Sequence, residues 1–338
     1  MNANDAILIC APNWLGDAVM CMPAIRRFRQ LHPAAFVVVL SKAALGDLWP
    51  LNPDISQTLT FSATVKGTLN AAFSLRKRKW DRAYVLPNSF RSALVPFLAG
   101  IPERIGLSGH GRPWLLNRIV PNTPALANRH QSSESTTLFG LADEETDLAP
   151  PFLSVDSDAR ENTRTRLALP TSDRLVGLIP GAARGPSKRW PAEHFIAVGR
   201  QLADSAGARV VVLGAPGETD LCRAVAEGIG PAAVDLGGRT PLPQFAAVLA
   251  LCRVAIANDS GGMHLAAAMG TPVVAIYGIT DPVKTGPLGS GHRIVALDNV
   301  PRDRDIQRAS ETARRALHAI EPNRVCKEAI ALLDRETP

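Results

Sequence analysis

Four short segments of this chain put acidic, basic or small residues where a buried strand hands over to a helix, the place where side chains and free backbone N–H groups converge on a ligand. In APNWLGDAVMCMPAIRRF, Asp17 follows an apolar run ending at Ala11, and Gly16 allows a tight turn into an amphipathic helix. A carboxylate there can cap the helix or act as a general base, and the segment alone leaves both roles open. In PGAARGPSKRWPAEHF (180–195), glycines and prolines lead into a helix starting near Pro191. Arg184, Lys188 and Arg189 there favour an anion such as diphosphate, or form a plain basic surface loop. In NDSGGMHLAAAMGTPVVAIYG (258–278), Asp259, Ser260, Gly261 and Gly262 stand between a buried strand and a helix of small residues. Exposed N–H groups at such a helix start cradle phosphate, and glycine removes Cβ atoms that would block its approach. His264 either donates to a diphosphate or satisfies the core. In LGAPGETDL (213–221), Glu218 follows another strand and can accept hydrogen bonds from ribose hydroxyls.

Other strings read more simply. Asp156-Ser157-Asp158 and Asp303-Arg304-Asp305 do not end apolar strands as a metal clamp needs, so they read as solvated turns, and Thr280 and Asp281 read as turn or cap residues. Neither a G-x-G-x-x-G after the first strand nor a P-loop occurs, which argues against nicotinamide dehydrogenase and P-loop NTPase functions. No metal and no cofactor are expected. The five cysteines, Cys10, Cys21, Cys222, Cys252 and Cys326, lack C-x-x-C spacing and read as buried thiols.

The elements that position these segments are unalternating apolar runs suited to parallel strands buried on both faces. They are AILICA (6–11), FVVVL (36–40) and AYVLP (83–87), then LVGLIP (175–180), RVVVLG (209–214), VAIAND (254–259) and PVVAIYG (272–278), with helical-period segments between. The class is therefore α/β. With 338 residues, two domains are expected, 1–160 and 170–321, joined through the polar stretch near 145–172. An amphipathic helix within 322–338 closes the chain, and no repeat of 20 to 50 residues links the halves. Hydrophobic residues at 46% and charged residues at 20% suit a globular enzyme rather than a disordered chain. Charge is uneven: residues 1–141 hold 15 Lys/Arg against 7 Asp/Glu, and the rest 22 against 24. The RKRK run at Arg76–Lys79 is the densest part and reads as a solvated face or a docking site. Without an RNA- or DNA-binding motif, an anionic lipid surface fits the basic half better than nucleic acid. The chain lacks both an 18-residue apolar run and a signal-like N-terminus, so a cytoplasmic location is expected.

Taken together, in order and spacing over nearly the whole chain, these segments resemble the ADP-heptose:lipopolysaccharide heptosyltransferases of glycosyltransferase family 9. APNWLGD with its Asn13-Trp14 pair, RAYVLPNSFRSALVPFLAGIPERIG (82–106), PGAARGPSKRWP and NDSGGMHLAAAMGTPVVAIYG match the branch that adds the second heptose. The resemblance implies a GT-B fold, two Rossmann-like domains with parallel sheets facing a central cleft, and a closing helix that returns to the N-terminal domain. It implies inverting transfer of a heptose from ADP-heptose to heptosyl-Kdo2-lipid A by a cytoplasmic enzyme peripheral on the inner membrane. By matching motif, Asp17 is the general base and Lys188 the catalytic diphosphate contact. Arg184, Glu218, Asp259, Ser260, Gly261, Gly262 and His264 join Lys188 at the donor, while Asn13, Trp14, Gly16, Asn88 and Ser89 lie on the acceptor side. Ala183-Arg184 departs from the small polar or acidic residues of the pattern, and residues 298–312 do not align with it. The alternatives are the enzyme that adds the first heptose, another GT-B nucleotide-sugar enzyme such as a 2-epimerase, and a catalytically idle nucleotide-sugar-binding protein.

Overall fold

The computed structural model describes residues 5–109, 111–123, 128–141, 150–298, 300, 302, 307 and 309–335. The chain divides into two compact units, Met1–Ser154 and Val155–Pro338. In the first, β1 (Ala6–Cys10), β2 (Phe36–Lys42), β3 (Gln57–Phe61), β4 (Arg82–Val85), β5 (Glu103–Leu107) and β6 (Arg118–Val120) form one sheet in the order β3-β2-β1-β4-β5-β6. Every pairing is parallel. In the second, β7 (Leu175–Ile179), β8 (Arg209–Val212), β9 (Ala233–Asp235), β10 (Val254–Asn258), β11 (Val273–Tyr277) and β12 (Arg293–Ala296) run in the order β12-β11-β10-β7-β8-β9, again all parallel. Renumbered from its own first strand, the second sheet has the same 3-2-1-4-5-6 order as the first, apart from which outer strand is reached first: its strands run 6-5-4-1-2-3, the same order read from the other edge. This is the Rossmann arrangement. Two sheets built from unrelated segments thus share one strand order.

The order follows from burial. β7, β10 and β11 are buried at every position and β1 at all but Ala6, so these apolar runs occupy the middle of their sheets. All seven strands read from sequence are present. The five that were not, β3, β5, β6, β9 and β12, include the four sheet edges, where short strands mix polar and apolar residues because one side lacks a neighbour.

The unit boundary falls within the expected stretch, whereas the closing helix differs from expectation. The unit boundary falls at Ser154, and the helix Ser157–Arg166 packs against the helix Leu242–Leu251, so the polar stretch already contributes structure to the second unit. The helix Pro322–Leu333 belongs to the second unit's core, a correction to the expected return to the first domain. Its Val325, Cys326, Ala329, Leu332 and Leu333 are buried with Val198, Leu202 and Val274, beside the helix Ala192–Ala206 and strands β10–β12. Burying such side chains contributes roughly 1.5–3 kcal/mol each for the larger ones, which fixes the helix on this face.

Candidate functional site

In an open parallel sheet, ligands collect beyond the carboxyl ends of the strands where the strand order reverses. In the second unit that point lies between β7 and β10. The loop after β7 carries Arg184 and Lys188, and the loop after β10 carries Asp259 and Ser260, so two of the segments singled out in the sequence meet here. Lys188 Nζ donates to Asp259 Oδ2 at 2.5 Å, with side-chain exposures of 11% and 7%. The loop is held in place by Asn258 at the end of β10. Its Oδ1 accepts from the Trp190 backbone N–H at 2.9 Å, and its Nδ2 donates to the Pro180 carbonyl at 2.8 Å. Trp190 is buried and its indole N–H donates to the Ile320 carbonyl at 3.0 Å, while Ser187 Oγ donates to the Gln307 carbonyl at 2.7 Å. Gly185 has φ +92°, a conformation open to glycine and strained for other residues, which lets the loop double back.

Ser260 is the N-cap of the helix Gly261–Ala268, yet its side chain makes no capping bond and its buried Oγ has no partner among the described residues. The first-turn N–H groups of this helix are therefore not satisfied by a side-chain cap, beside the Lys188 ammonium. Gly262 serves packing as much as approach: a Cβ there would lie 2.9 Å from Ile179 Cγ2 of β7. His264 is buried in the same helix. Glu218 is built into the floor of the site. Its Oε2 accepts from the Ala215 N–H at 3.0 Å, its Oε1 lies 3.7 Å from Arg189, and a Cβ on Gly181 would come within 2.2 Å of its carboxylate oxygens. Arg184 is exposed at the loop tip. Burial and the Asp259 charge push the Tyr277 hydroxyl well above its ordinary value, so it stays protonated and donates to the Thr285 carbonyl.

In the first unit the corresponding point lies between β1 and β4. Asn13, Trp14, Gly16 and Asp17 follow β1, and Asn88 and Ser89 follow β4, so these too converge. The helix Leu15–Met20 starts earlier than the sequence suggested. Trp14, 55% exposed, is its N-cap, Gly16 is already helical, and the turn is made by extended backbone at Trp14. Asp17 therefore sits in the first turn, where the helix dipole favours its negative charge, and is not the capping residue. Its Oδ1 accepts from Gln131 Nε2 at 3.0 Å. Ser89 does cap its helix, Phe90–Leu98, accepting from the Ser92 N–H at 3.3 Å.

A sequence profile of glycosyltransferase family 9 (heptosyltransferase) matches residues 69–313, spanning parts of both units. The chain is 32% identical to lipopolysaccharide heptosyltransferase 2 of Escherichia coli K12, over 98% of this chain and 99% of that protein. This chain belongs to glycosyltransferase family 9. A solved structure of E. coli ADP-heptose lipopolysaccharide heptosyltransferase II superposes with a TM-score of 0.86 at 31% identity, covering 97% of this chain and 98% of that one. Lipopolysaccharide heptosyltransferase 1 of E. coli K12 is 30% identical over 93% of this chain and 99% of that protein.

Within this family 9 chain several structural partners were not read from sequence. Asn258, directly before Asp259, carried a signal: an amide at the end of a fully apolar strand is a buried polar group that must be bonded to something. Gln131 carried none, because it stands 114 residues from Asp17. Of the acidic pairs, Asp156 is an N-cap accepting from the Ala159 N–H at 2.6 Å, and Asp303-Arg304-Asp305 lies outside the described residues. Asp281 caps the short helix Pro282–Thr285, accepting from the Val283 N–H at 3.0 Å.

Proposed function

We propose that this glycosyltransferase moves L-glycero-D-manno-heptose from ADP-heptose to the first heptose of the lipopolysaccharide inner core, heptosyl-Kdo2-lipid A, with inversion at the donor anomeric carbon. The observation that carries this reading is the likeness to lipopolysaccharide heptosyltransferase 2 over 98% of the chain. The two switch points supply the chemistry. Asp17 takes the proton of the acceptor hydroxyl as that oxygen forms its bond to the donor C1, and the C1–O bond to the diphosphate breaks, the electron pair leaving with ADP. Lys188 and the N–H groups of Gly261 and Gly262 stabilise the charge gathering on that diphosphate, an effect commonly of about 3–4 kcal/mol per donor. Asp259 holds Lys188 until the phosphate oxygens compete for it, with Ser260 and His264 alongside, Arg184 at the outer edge and Glu218 for the ribose. Asn13, Trp14, Gly16, Asn88 and Ser89 face the acceptor.

This scheme assigns the leaving group's charge to protein groups, so turnover is expected to persist after exhaustive chelation. Product analysis with ADP-heptose, with and without acceptor and with and without chelator, tests the whole reading. Heptose appearing on the acceptor only when acceptor is present supports transfer. A 2-epimerised nucleotide sugar formed without acceptor overturns it.

The lipid acceptor calls for a membrane-facing surface. The helix Val65–Leu75 exposes Val65, Leu69 and Phe73 at successive turns, with exposed Lys66, Arg76 and Lys77 around them, an apolar stripe inside a basic rim. No described helix is long and apolar enough to cross a membrane. Reversible docking of this stripe on an anionic inner-membrane face is expected to weaken as salt rises. Flotation with acidic liposomes measures it, and no binding at low salt removes this surface.

A further inference from the structure

The Lys188–Asp259 pair has a buried neighbour that the reaction scheme does not use, the hydroxyl of Tyr277. Tyr277 ends β11 and is 0% exposed. Asn258 of β10 stands opposite Ile276, and the Asp259 backbone N–H donates to the Ile276 carbonyl at 3.1 Å, so Asp259 comes beside Tyr277 one position further along. Residues paired in this register present their side chains on the same face of the sheet. The Tyr277 hydroxyl donates to the Thr285 carbonyl at 2.6 Å and has the Asp259 carboxylate as a second acceptor beside it. Met263 Sδ, 3.5 Å from the same oxygen, is only a weak acceptor. A phenol has one proton, while a carbonyl and an ionised carboxylate offer lone pairs alone. The two acceptors therefore compete for it.

Which acceptor wins depends on Lys188. With the ammonium on Asp259 Oδ2 at 2.5 Å, the carboxylate, 7% exposed, is neutralised, and the proton rests on Thr285. A diphosphate that takes Lys188 leaves this buried carboxylate uncompensated, which is costly unless another donor arrives. Tyr277 has only to turn its O–H, because the ring and the oxygen are already in place. We propose that Tyr277 is a positioning residue of the donor site: its hydroxyl proton turns from Thr285 to Asp259 as the diphosphate draws Lys188 away, so that the lysine leaves without stranding a buried charge. The Thr285 carbonyl, on a partly exposed segment, takes water in exchange. The proton stays covalently on Tyr277 throughout. The inference rests on the reading of Lys188 as the diphosphate contact.

The chain has two tyrosines, Tyr277 and Tyr84, and Tyr84 lies in β4 of the first unit. Tyrosine labelled with carbon-13 at Cζ therefore gives two NMR signals, a reporter and a control. On saturation with ADP the Tyr277 signal is expected to move downfield, because donation to a carboxylate draws a phenol toward phenolate, while Tyr84 stays put. In Asp259→Asn the Tyr277 signal should hardly respond to ADP, since no charge is left to cover. Calorimetry gives the second readout. Tyr277→Phe keeps the ring and is expected to weaken ADP binding about tenfold or more, the scale of one hydrogen bond to a charged group. In the Asp259→Asn background the same substitution should cost no more than about twofold, the margin within which uncoupled changes add. A tyrosine that only supports the Thr285 segment predicts instead an equal loss in both backgrounds and a Tyr277 signal unmoved by ADP, and that result overturns the proposal. If ADP affinity is unchanged in Lys188→Ala, the donor assignment of the lysine fails, and the role of Tyr277 falls with it.

Discussion

The two switch points share a topology and manage their buried cations in opposite ways. In the second unit Lys188 is paired with a carboxylate of the same unit, Asp259, at 2.5 Å. In the first, Arg112 is bonded to an amide oxygen and a carbonyl. A Rossmann sheet thus fixes where ligand groups gather and leaves open how the local charge is balanced. In the proposed scheme the second unit keeps a cation, Lys188, that the donor diphosphate draws away from Asp259. The first keeps its cation buried behind Asn88, one strand away from the Asp17 carboxylate. In that scheme one loop set holds the leaving group and the other activates the nucleophile.

The largest effect is expected where that division of labour is sharpest. Asp17→Asn keeps the shape of the side chain and its bond to Gln131 while removing its basicity, so kcat is expected to fall by about 100- to 10,000-fold. ADP-heptose affinity and Tm are expected to stay near wild type, because the proposed donor residues lie in the other unit and Asp17 is not the helix cap. A folded, donor-binding variant with wild-type kcat would assign the base elsewhere and end the comparison.

Next comes the buried pair. Lys188→Met strands the Asp259 carboxylate, at a cost of about 3 kcal/mol, the low end for breaking a buried pair because Lys188 keeps some exposure. ADP affinity drops by roughly 1–3 kcal/mol in the same variant. Adding Asp259→Asn is expected to restore most of the stability and little of the affinity. Chemical denaturation and calorimetry on the single and double variants separate the two losses. Recovery of affinity in the double variant would show that Lys188 only neutralises Asp259.

How much of this was legible in the sequence depends on how far apart the partners lie. The apolar runs of β1, β7 and β10 and the small or charged residues just after them are local patterns, so the loops with Asp17, Lys188 and Asp259 could be placed before any coordinates. Arg112 could not. It stands in GHGRPW, which reads as a glycine-rich loop, and an arginine there is far more often solvated than buried. Only the space left by Gly106 and Gly109 makes room for it, and neither glycine announces that purpose. Gln131 is invisible for the same reason of distance. The closing helix shows its apolar face in sequence, yet which sheet it covers is a matter of tertiary packing alone.

The smallest expected effect concerns how easily each unit opens. Cys10 sits beside Arg112 in the first unit, and Cys252 lies under β7 of the second, where a Cβ on Gly177 would be 3.2 Å from its sulfur. Burial pushes both thiols up to about 12, so neither is appreciably ionised at pH 8 and alkylation waits on local opening. Arg112→Met removes a buried charge without stranding a carboxylate, and water replaces it at exposed Asn88. Its folding free energy should therefore stay within about 1 kcal/mol of wild type, on the stabilising side, since apolar residues often replace buried ions at no loss. The rate of Cys10 alkylation in the native protein should then fall a few-fold, while Cys252 keeps its wild-type rate because its unit is unchanged. Mass spectrometry of alkylated peptides over time reads both sites in one sample. Faster Cys10 labelling in Arg112→Met would mean that the guanidinium holds the first unit together, and the contrast between its cation and Lys188 would then lie in partners and not in purpose.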